Sequence, residues 1–485
     1  MSSLTPTPTL LTPHLPSRTL VGIDLITFTS TPNFHGIRDI PPGWHFLYTG
    51  TTAGLSLRVG GWFYIDRNGN SAETKTGKDI LVWRWNDHTE ALEPLGSHQT
   101  GEGMRYRANI GGVWGSGGLW GYRSRVPAAA VAADAEAPQK SGRDAGAGAG
   151  AGAGNGDIID EEEEDEGRRE WTALTDRLSP LLLSRITGEP TVDWEGKTRW
   201  VVTSGSTACQ DDDDIPGLDS NPDSNPGSEG VPGAEGQGRP EDYTERQFSF
   251  LPVDLKMTWR EGAIGRERTE AARDRSWALG EIIHRVSSSS SSSSSSHLGA
   301  GGDDSGNKDV NASGEAQILG ELQFTFLMSL TLMNYSCMQQ WKRLLRLILT
   351  CRSAITDRAP FMAEVLHLLL TQLKRADDVE GGLFDQLGNE GGMEGAEFLR
   401  RLLKGFRTAM YEVLEDGGGE ESPVKKEFGK LEEWVGRELD WELDRDAVLR
   451  KGMVQLEDGE EVELEMVDHE EEEYAPVVVD LEGTY

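Results

Sequence analysis

The sequence predicts an α+β multidomain protein: a β-rich N-terminal domain followed by an all-α helical C-terminal domain, with long disordered inserts. Residues 19–125 combine glycine and aromatic side chains with short β-prone runs, whereas residues 246–443 carry apolar side chains at helical spacing. Several segments between and within these regions contain few apolar residues. Since domains average about 150 residues, a chain of 485 residues has room for two or three.

Short β-prone runs separated by turn residues predict a compact antiparallel β domain at the N-terminal end. The turn signals are Pro41-Pro42-Gly43, Gly60-Gly61 and Asn68-Gly69. After a long insert, Arg169–Ile186 has the spacing of one amphipathic helix, so we place the whole domain at residues 19–210. The predicted strands are Leu20–Phe28, Trp44–Thr49, Leu55–Val59, Trp62–Ile65 and Ile80–Trp85.

The C-terminal domain, residues 246–443, contains at least six predicted helices with short connections, which favour a bundle or a right-angled helical stack. Pro360 and Pro423 stand where a proline opens a helix. We expect this domain and the β-rich domain to have separate cores. The predicted helices are Glu270–Arg285, Glu315–Met333, Met338–Ala354, Phe361–Lys374, Ala396–Leu414 and Pro423–Leu443.

Five segments are predicted to lack a fold of their own, because they offer too few apolar side chains to offset the entropy of ordering. Residues 1–18 are rich in proline and threonine, and residues 127–168 include a Gly-Ala repeat and an acidic block. Residues 211–245 form a predicted linker, and residues 287–314 begin with ten serines. Residues 444–485 form an acidic tail with β-prone islands at 462–466 and 475–481.

Composition restricts the class of protein. Lys plus Arg number 47 against 82 for Asp plus Glu, a formal charge of −35, which disfavours direct binding of nucleic acid through the overall field. The three cysteines cannot form a disulfide framework and fit a reducing compartment. The first residues lack the pattern of a signal peptide, and no apolar run is long enough to span a membrane. We therefore expect a soluble, intracellular protein with no membrane contact.

The common enzymatic motifs do not occur. The glycine-rich tracts fail the dinucleotide pattern G-x-G-x-x-G, and the chain has no Walker A, H-E-x-x-H or G-x-S-x-G sequence. The histidines have no cysteine or histidine partners at zinc spacing. His45, beside Trp44 at the start of a strand, fits a structural role better than a general base. We expect no enzymatic activity, no cofactor and no metal.

A basic group opposes the overall negative charge. Lys342, Arg343 and Arg346 lie on the predicted helix that buries Trp341 and Ile348. They form either an ordinary polar face, paired with acidic segments of the same chain, or a docking surface for an acidic partner.

Ser422-Pro423-Val424-Lys425 has the form of a proline-directed kinase site and opens a predicted helix. A phosphate on Ser422 would meet the free N–H groups at the helix N-terminus, which stabilise negative charge. The alternative is that Ser422 is a plain N-cap residue.

The acidic tail contains a short β-prone segment that suits strand addition to the sheet edge of a partner. Asp468–Glu473 is too acidic to pack on a core. The same segment could instead pair with the protein's own β-rich domain. The candidate residues are Tyr474, Pro476, Val477, Val478 and Val479.

Two parts of the sequence resemble one known family. Gly22-Ile-Asp24 and Asn33-Phe-His-Gly-Ile-Arg-Asp-Ile-Pro-Pro-Gly-Trp-His-Phe46 resemble a G-I-D strand followed by F-x-G-I-K-x-I-P-P-G-x-H, with Arg38 where Lys is common. In the helical region, the matching segments are Gly320-Glu-Leu-Gln-Phe324, Gln340-Trp-Lys-Arg-Leu-Leu345 and Leu349-Thr-Cys-Arg-Ser353. The family with these motifs is that of the Aar-two splicing factors, and the end of the chain resembles the tail of several fungal members.

The resemblance implies a β-rich N-terminal domain, an α-helical C-terminal domain and a role in pre-mRNA splicing. Members of the family are assembly chaperones of the U-five small nuclear ribonucleoprotein (snRNP), and they bind the scaffold protein Prp-eight through its RNase-H-like and Jab/MPN-like domains. We therefore expect a splicing assembly factor of the cytoplasm and nucleus, with U-five snRNP proteins as partners. The alternative is an acidic chaperone for another basic client, such as histones or ribosomal proteins.

Overall fold

The computed structural model describes residues 7–51, 57–66, 80–125, 161–208, 247–292, 305–376, 393–417, 422–444, 451–455 and 461–465. It confirms a β-rich N-terminal region and a helical C-terminal region. Its contacts divide the chain into two compact units. The first unit comprises Met1–Pro252, Ile282–Leu345 and Glu364–Ala396; the second comprises Val253–Glu281, Arg346–Ala363 and Glu397–Tyr485.

The larger sheet of the first unit has six strands in the order β10-β11-β6-β5-β2-β3, and all of its pairs are antiparallel. The predicted run Leu20–Phe28 forms two strands, because Asp24 adopts a left-handed φ of 56° and turns the chain back on itself. The strands are β2 Leu20–Ile23, β3 Ile26–Thr29, β5 Gly43–Gly50, β6 Arg58–Ile65, β10 Thr191–Val192 and β11 Thr198–Thr203.

The smaller sheet has five strands in the order β8-β7-β1-β4-β9. The expectation of a wholly antiparallel domain is wrong here, because β1 pairs with β7 and β4 with β9 in parallel. The disorder predicted for residues 1–18 is also wrong for residues 7–18, since β1 is fully buried in this sheet. The strands are β1 Thr9–Leu11, β4 Gly36–Arg38, β7 Ile80–Asn86, β8 Ala91–Pro94 and β9 Leu119–Gly121.

Gly60 and Gly61 do not form the predicted turn but lie inside the continuous strand β6. A Cβ on Gly61 would stand 2.4 Å from the ring of Trp83 in the other sheet, and one on Gly60 would stand 2.5 Å from Phe46. The two glycines therefore provide room for aromatic rings on both faces of the strand. The other predicted turn at Asn68-Gly69 lies outside the described residues.

Two apolar clusters order the first unit in layers. One lies between the sheets and joins Leu10, Val21, Phe63 and Trp83 with their neighbours. The second cluster covers the outer face of the smaller sheet, where residues of α1 (Thr100–Gly115) pack against it. The outer face of the larger sheet carries Trp62, whose ring lies parallel to that of Trp171 in α2 (Glu161–Thr175).

The predicted helix Arg169–Ile186 is two helices, α2 and α3 (Pro180–Thr187). They separate at Ser179, whose hydroxyl caps α3 by accepting a hydrogen bond from Leu182 N. Residues 161–168, predicted to be disordered, form the start of α2. Glu164 accepts hydrogen bonds from the N–H and hydroxyl of Ser124, which tie this acidic turn to the end of the β-rich chain.

The C-terminal region contributes eight helices and a hairpin in the described residues. The helices are α4 Gly265–Arg273, α5 Ser276–Ser292, α6 Ser305–Leu332, α7 Tyr335–Leu349, α8 Ala354–Asp357, α9 Ala359–Ala376, α10 Met393–Gly417 and α11 Pro423–Glu438. The hairpin pairs β12 Lys451–Gln455 with β13 Glu461–Glu465 and contains the first β-prone island of the tail.

Two predictions for this region need correction. The expected helix Glu270–Arg285 is broken between α4 and α5, because Asp274 accepts hydrogen bonds from the N–H and hydroxyl of Ser276 and so begins a new helix. The insert predicted at 287–314 is helical at both ends, in α5 up to Ser292 and in α6 from Ser305. The last turns of α5 extend into the serine run, and the first turns of α6 begin within the Gly/Asp/Ser stretch.

The first unit unites both sheets with helical segments from the C-terminal half, which differs from the separate cores expected from composition. Phe324 of α6 lies 6.5 Å from Trp62 of β6 and 6.0 Å from Phe248, measured between ring centroids. The predicted linker, residues 211–245, lies outside the described residues. Among the residues the structure describes, no helix is long and apolar enough to cross a membrane.

Two glycines of helix α1 allow a matched test of how this helix packs in the first unit. We expect Gly111→Ala to raise the free energy of unfolding by about 0.4–1 kcal/mol, since an added Cβ there meets nothing within 4 Å and alanine favours the helix. In contrast, Gly103→Ala should lower it by about 1–3 kcal/mol, because its Cβ would stand 2.3 Å from Trp194. Urea unfolding of both variants is the measurement. Equal effects at the two positions would contradict the packing of α1.

Candidate functional site

The G-I-D and P-P-G-x-H patterns contribute to one buried hydrogen-bond network in the first unit. Asp24 Oδ2 lies 2.8 Å from His45 Nδ1 and accepts a hydrogen bond of 2.6 Å from the hydroxyl of Tyr122. Its other oxygen, Oδ1, accepts from Phe46 N at 2.9 Å. His45 Nε2 lies 2.8 Å from the carbonyl oxygen of Pro41. These contacts fix the turn after β2, the start of β5 and the chain beyond β9.

This network supports the structural role expected for His45. Both ring nitrogens of His45 lie 2.8 Å from an oxygen inside the fold, Nδ1 from Asp24 Oδ2 and Nε2 from the carbonyl oxygen of Pro41. The side chains of His45 and Asp24 are 1% and 4% exposed, which leaves no room for a substrate. Burial, followed by the adjacent Asp24 carboxylate, raises the pKa of Tyr122 well above its ordinary value. The network therefore joins the turn at Asp24, the start of β5 and Tyr122 through buried hydrogen bonds.

The E-L-Q-F motif of the helical region forms a second network, also within the first unit. Glu321 is fully buried; its Oε1 accepts hydrogen bonds from Leu251 N at 2.9 Å and Gln340 Nε2 at 2.8 Å. Its Oε2 accepts from Arg185 Nη2 at 2.7 Å. Because an unpaired buried carboxylate is strongly unfavourable, these donors fasten three separate chain segments to α6.

The next polar residue of that motif connects α6 with the end of α2. Gln323 Oε1 accepts from Arg177 N, and its Nε2 donates to the carbonyl of Ala173 and to Asp176. On α7, Trp341 Nε1 donates to Gln372 Oε1 at 3.0 Å. The motif residues are thus used to hold elements together.

Sequence reasoning missed Asn334, which anchors the turn between α6 and α7. Its side-chain Nδ2 donates to the carbonyl oxygens of Thr203, Ser204 and Ser206 at the end of β11. Its Oδ1 accepts from Cys337 N. The break Asn334-Tyr335-Ser336 in the helical pattern was the available signal, but the pattern did not indicate which strand the side chain would reach.

In the second unit, the carboxylate of Asp274 likewise accepts hydrogen bonds that connect separate chain segments. The side chain accepts hydrogen bonds from the N–H and hydroxyl groups of Ser276 and Ser353, and from Arg352 N. Burial opposes the charged form of Asp274, but these hydrogen bonds outweigh it and hold the pKa of the carboxyl below its ordinary value. Ser353 ends the third family motif, so this motif also has a structural use.

An open cavity of about 490 Å³ adjoins Asp274. Its walls carry both signs of charge, with Arg273 and Arg352 beside Glu270 and Asp357. Such a balanced lining does not select a ligand of one charge. No cluster of three or more metal-ligating side chains occurs among the residues that the structure describes.

The predicted basic group lies on α7. Lys342, Arg343 and Arg346 are all half-buried and engaged with neighbouring groups. The docking surface for an acidic partner stays a prediction, as does its alternative, an ordinary polar face. Ser422 is half-buried just before Pro423, and its hydroxyl makes no capping hydrogen bond with α11. Its phosphorylation stays a prediction. Tyr474, Pro476 and the three valines of the tail lie outside the described residues.

The described fold and networks define a class of protein. It has a β-rich N-terminal region and a helical C-terminal region, and its motif residues form buried hydrogen bonds between elements. Comparison with protein families identifies that class. The model of the AAR2 N-terminal domain matches residues 6–188, and that of the AAR2 C-terminal repeat region matches residues 250–444. Comparison with curated proteins finds no match.

The two matched regions cover well over half of the chain and follow each other in the family's order. The chain belongs to the AAR2 family and is a splicing-related factor, as the motif resemblance predicted.

Asp274 provides a test in the second unit. Asp274→Asn should lower the free energy of unfolding at pH 7 by about 1–2 kcal/mol, because the charged cap of α5 is lost. Since the folded-state pKa is lowered, the wild-type advantage is complete above the ordinary carboxyl pKa of about 3.9 and shrinks as pH falls below it. Urea unfolding from pH 7 to 3.5 measures this.

The matched control is Asp357→Asn, at an exposed position on α8, which we expect to change stability by less than about 0.5 kcal/mol. A pH-independent difference between Asp274→Asn and wild type would contradict the assigned role of the carboxylate.

Proposed function

We propose that this chain is a non-enzymatic splicing assembly factor that binds Prp-eight during maturation of the U-five snRNP. The observation that carries the proposal is the presence of both AAR2 regions, in order, in one chain. The RNase-H-like and Jab/MPN-like domains of Prp-eight are the proposed binding partners. A place in the nucleus and the cytoplasm, without direct binding of nucleic acid or membrane, belongs to the same proposal.

The use of the motif residues supports a binding role. The side chains most suited to chemistry, His45, Asp24 and Glu321, are buried and each has its hydrogen-bond partners inside the fold. Such groups position surfaces and do not meet a substrate. The surfaces proposed to meet Prp-eight are the basic group of α7, comprising Lys342, Arg343 and Arg346, and the β-prone tail segment at residues 474–479.

The tail segment would act by adding a strand to a sheet edge of the client. Val477, Val478 and Val479 are strongly β-prone, and Pro476 limits pairing upstream. Backbone groups would supply the hydrogen bonds, while alternate side chains would enter pockets. In this proposal the tail bridges the two client domains.

A formal charge of −35 favours a second candidate, an acidic chaperone for histones or ribosomal proteins. A pure charge shield would not need two ordered sheets and a buried helix. A pull-down from nuclear extract with the full chain separates the candidates: U-five snRNP proteins support the first, and histones or ribosomal proteins without them support the second.

Deleting residues 470–485 should weaken simultaneous binding of the two Prp-eight domains while leaving the melting temperature nearly unchanged. The measurements are calorimetric titration with both domains and thermal unfolding followed by circular dichroism. A large fall in melting temperature with unaltered binding would show that the tail is an internal strand of the protein.

A further inference from the structure

Two sheet edges end at the same corner of the first unit. Strand β9 is the last strand of the smaller sheet and β3 the last strand of the larger one. An aromatic cluster joins them: the ring centroid of Trp120 in β9 lies 4.7 Å from Phe28 in β3 and 5.2 Å from Phe34. Trp120 remains 37% exposed.

Within the described residues, the backbone groups on the outer edge of β9 pair with no other strand. Tyr122 N donates to Arg38 O, so Tyr122 faces β4, and the alternation of a strand turns Gly121 and Leu119 the other way. In the part of the chain that the structure describes, β4 is the only strand that pairs with β9. The N–H and C=O groups of Leu119 and Gly121 therefore point outward.

Of the features that commonly limit strand addition, this edge has its short length of three residues. It lacks charged side chains and proline, since β9 has the sequence Leu119-Trp120-Gly121. A Cβ on Gly121 would meet nothing within 4 Å, so a neighbouring strand could approach closely. An added extended strand would hydrogen-bond the outward peptide groups of both residues at once.

We propose that the outer edge of β9 accepts an extended segment of the partner protein as an added strand. The segment would place an apolar side chain on the cluster of Trp120, Phe28 and Phe34. It would also carry an acidic side chain, because the exposed Arg123 lies two residues beyond the end of the strand. The inference rests on the proposed function for the identity of the partner, Prp-eight.

The sharpest variant is Gly121→Pro, with Gly121→Ala as its matched control. Proline removes the outward N–H and places its ring where the added strand would lie, but the pairing of β9 with β4 does not use that N–H. Alanine keeps the N–H and fits the open space. The probe is a recombinant Prp-eight fragment that contains the RNase-H-like and Jab/MPN-like domains, titrated into the full chain by calorimetry.

We expect Gly121→Pro to raise the dissociation constant about tenfold or more, and Gly121→Ala to leave it within about twofold of wild type. Arg123→Glu should also weaken binding and reduce its salt dependence. If Gly121→Pro lowers the melting temperature, Arg123→Glu becomes the deciding variant, because Arg123 is exposed and its replacement should leave the fold intact.

Equal binding of the wild type, Gly121→Pro and Arg123→Glu would overturn the inference and leave the proposed function intact. Weakening by Thr27→Pro on the edge of β3, without weakening by Gly121→Pro, would also overturn it, because the partner would then use the other sheet. If the wild-type chain does not bind the fragment, both the inference and the proposed function fail.

Discussion

The burial of residues 318–332 of α6 is the constraint on which the first unit depends. Each residue from Ile318 to Leu332 is buried, although the run contains glutamate, glutamine, threonine and serine. Because a buried polar group is costly when unpaired, each must find a partner within the fold. Thr325, Ser329 and Thr331 donate to carbonyl oxygens of their own helix, whereas Glu321 and Gln323 draw in groups from other segments.

This constraint explains why the most recognisable motifs lie inside the protein. Glu321 fixes the chain at Leu251 and the helix that carries Arg185, and Asn334 fixes the end of β11. At the other side of the larger sheet, Asp24 fixes the turn after β2 in the same way. The family pattern therefore specifies how the elements are arranged, whereas the surface carries exposed charged side chains such as Arg123.

The sequence predicts the elements that have a strong local signal and misses those that depend on distant contacts. Apolar residues at helical spacing indicate α7, and Trp341, Leu345 and Ile348 are all buried. Strand β1 has only three residues in a Pro/Thr-rich stretch, so its burial depends on β4 and β7. The pair Gly60-Gly61 predicts a turn from sequence alone. In the structure it lies within a strand, and Trp83 of the other sheet occupies the space beside Gly61.

The candidate networks were only partly predictable, for the same reason. Asp24 and His45 stand inside recognisable motifs, but Tyr122 lies 98 residues from Asp24 and no spacing indicates their contact. The sequence likewise gave no sign that β3 and β9 end at one corner, since this depends on the strand order of two sheets.

The central claim is that the sheets and α6 form one cooperative unit, and hydrogen exchange in Glu321→Ala tests it most directly. Removing the carboxylate leaves two buried donors, Leu251 N and Gln340 Nε2, without their acceptor, which should cost about 1–3 kcal/mol for each. Mass spectrometry of the full chain should then show the free energy of exchange falling by the same amount in α6 and in β5 and β6. Loss of protection in α6 alone, with the strands unchanged from wild type, would contradict the claim.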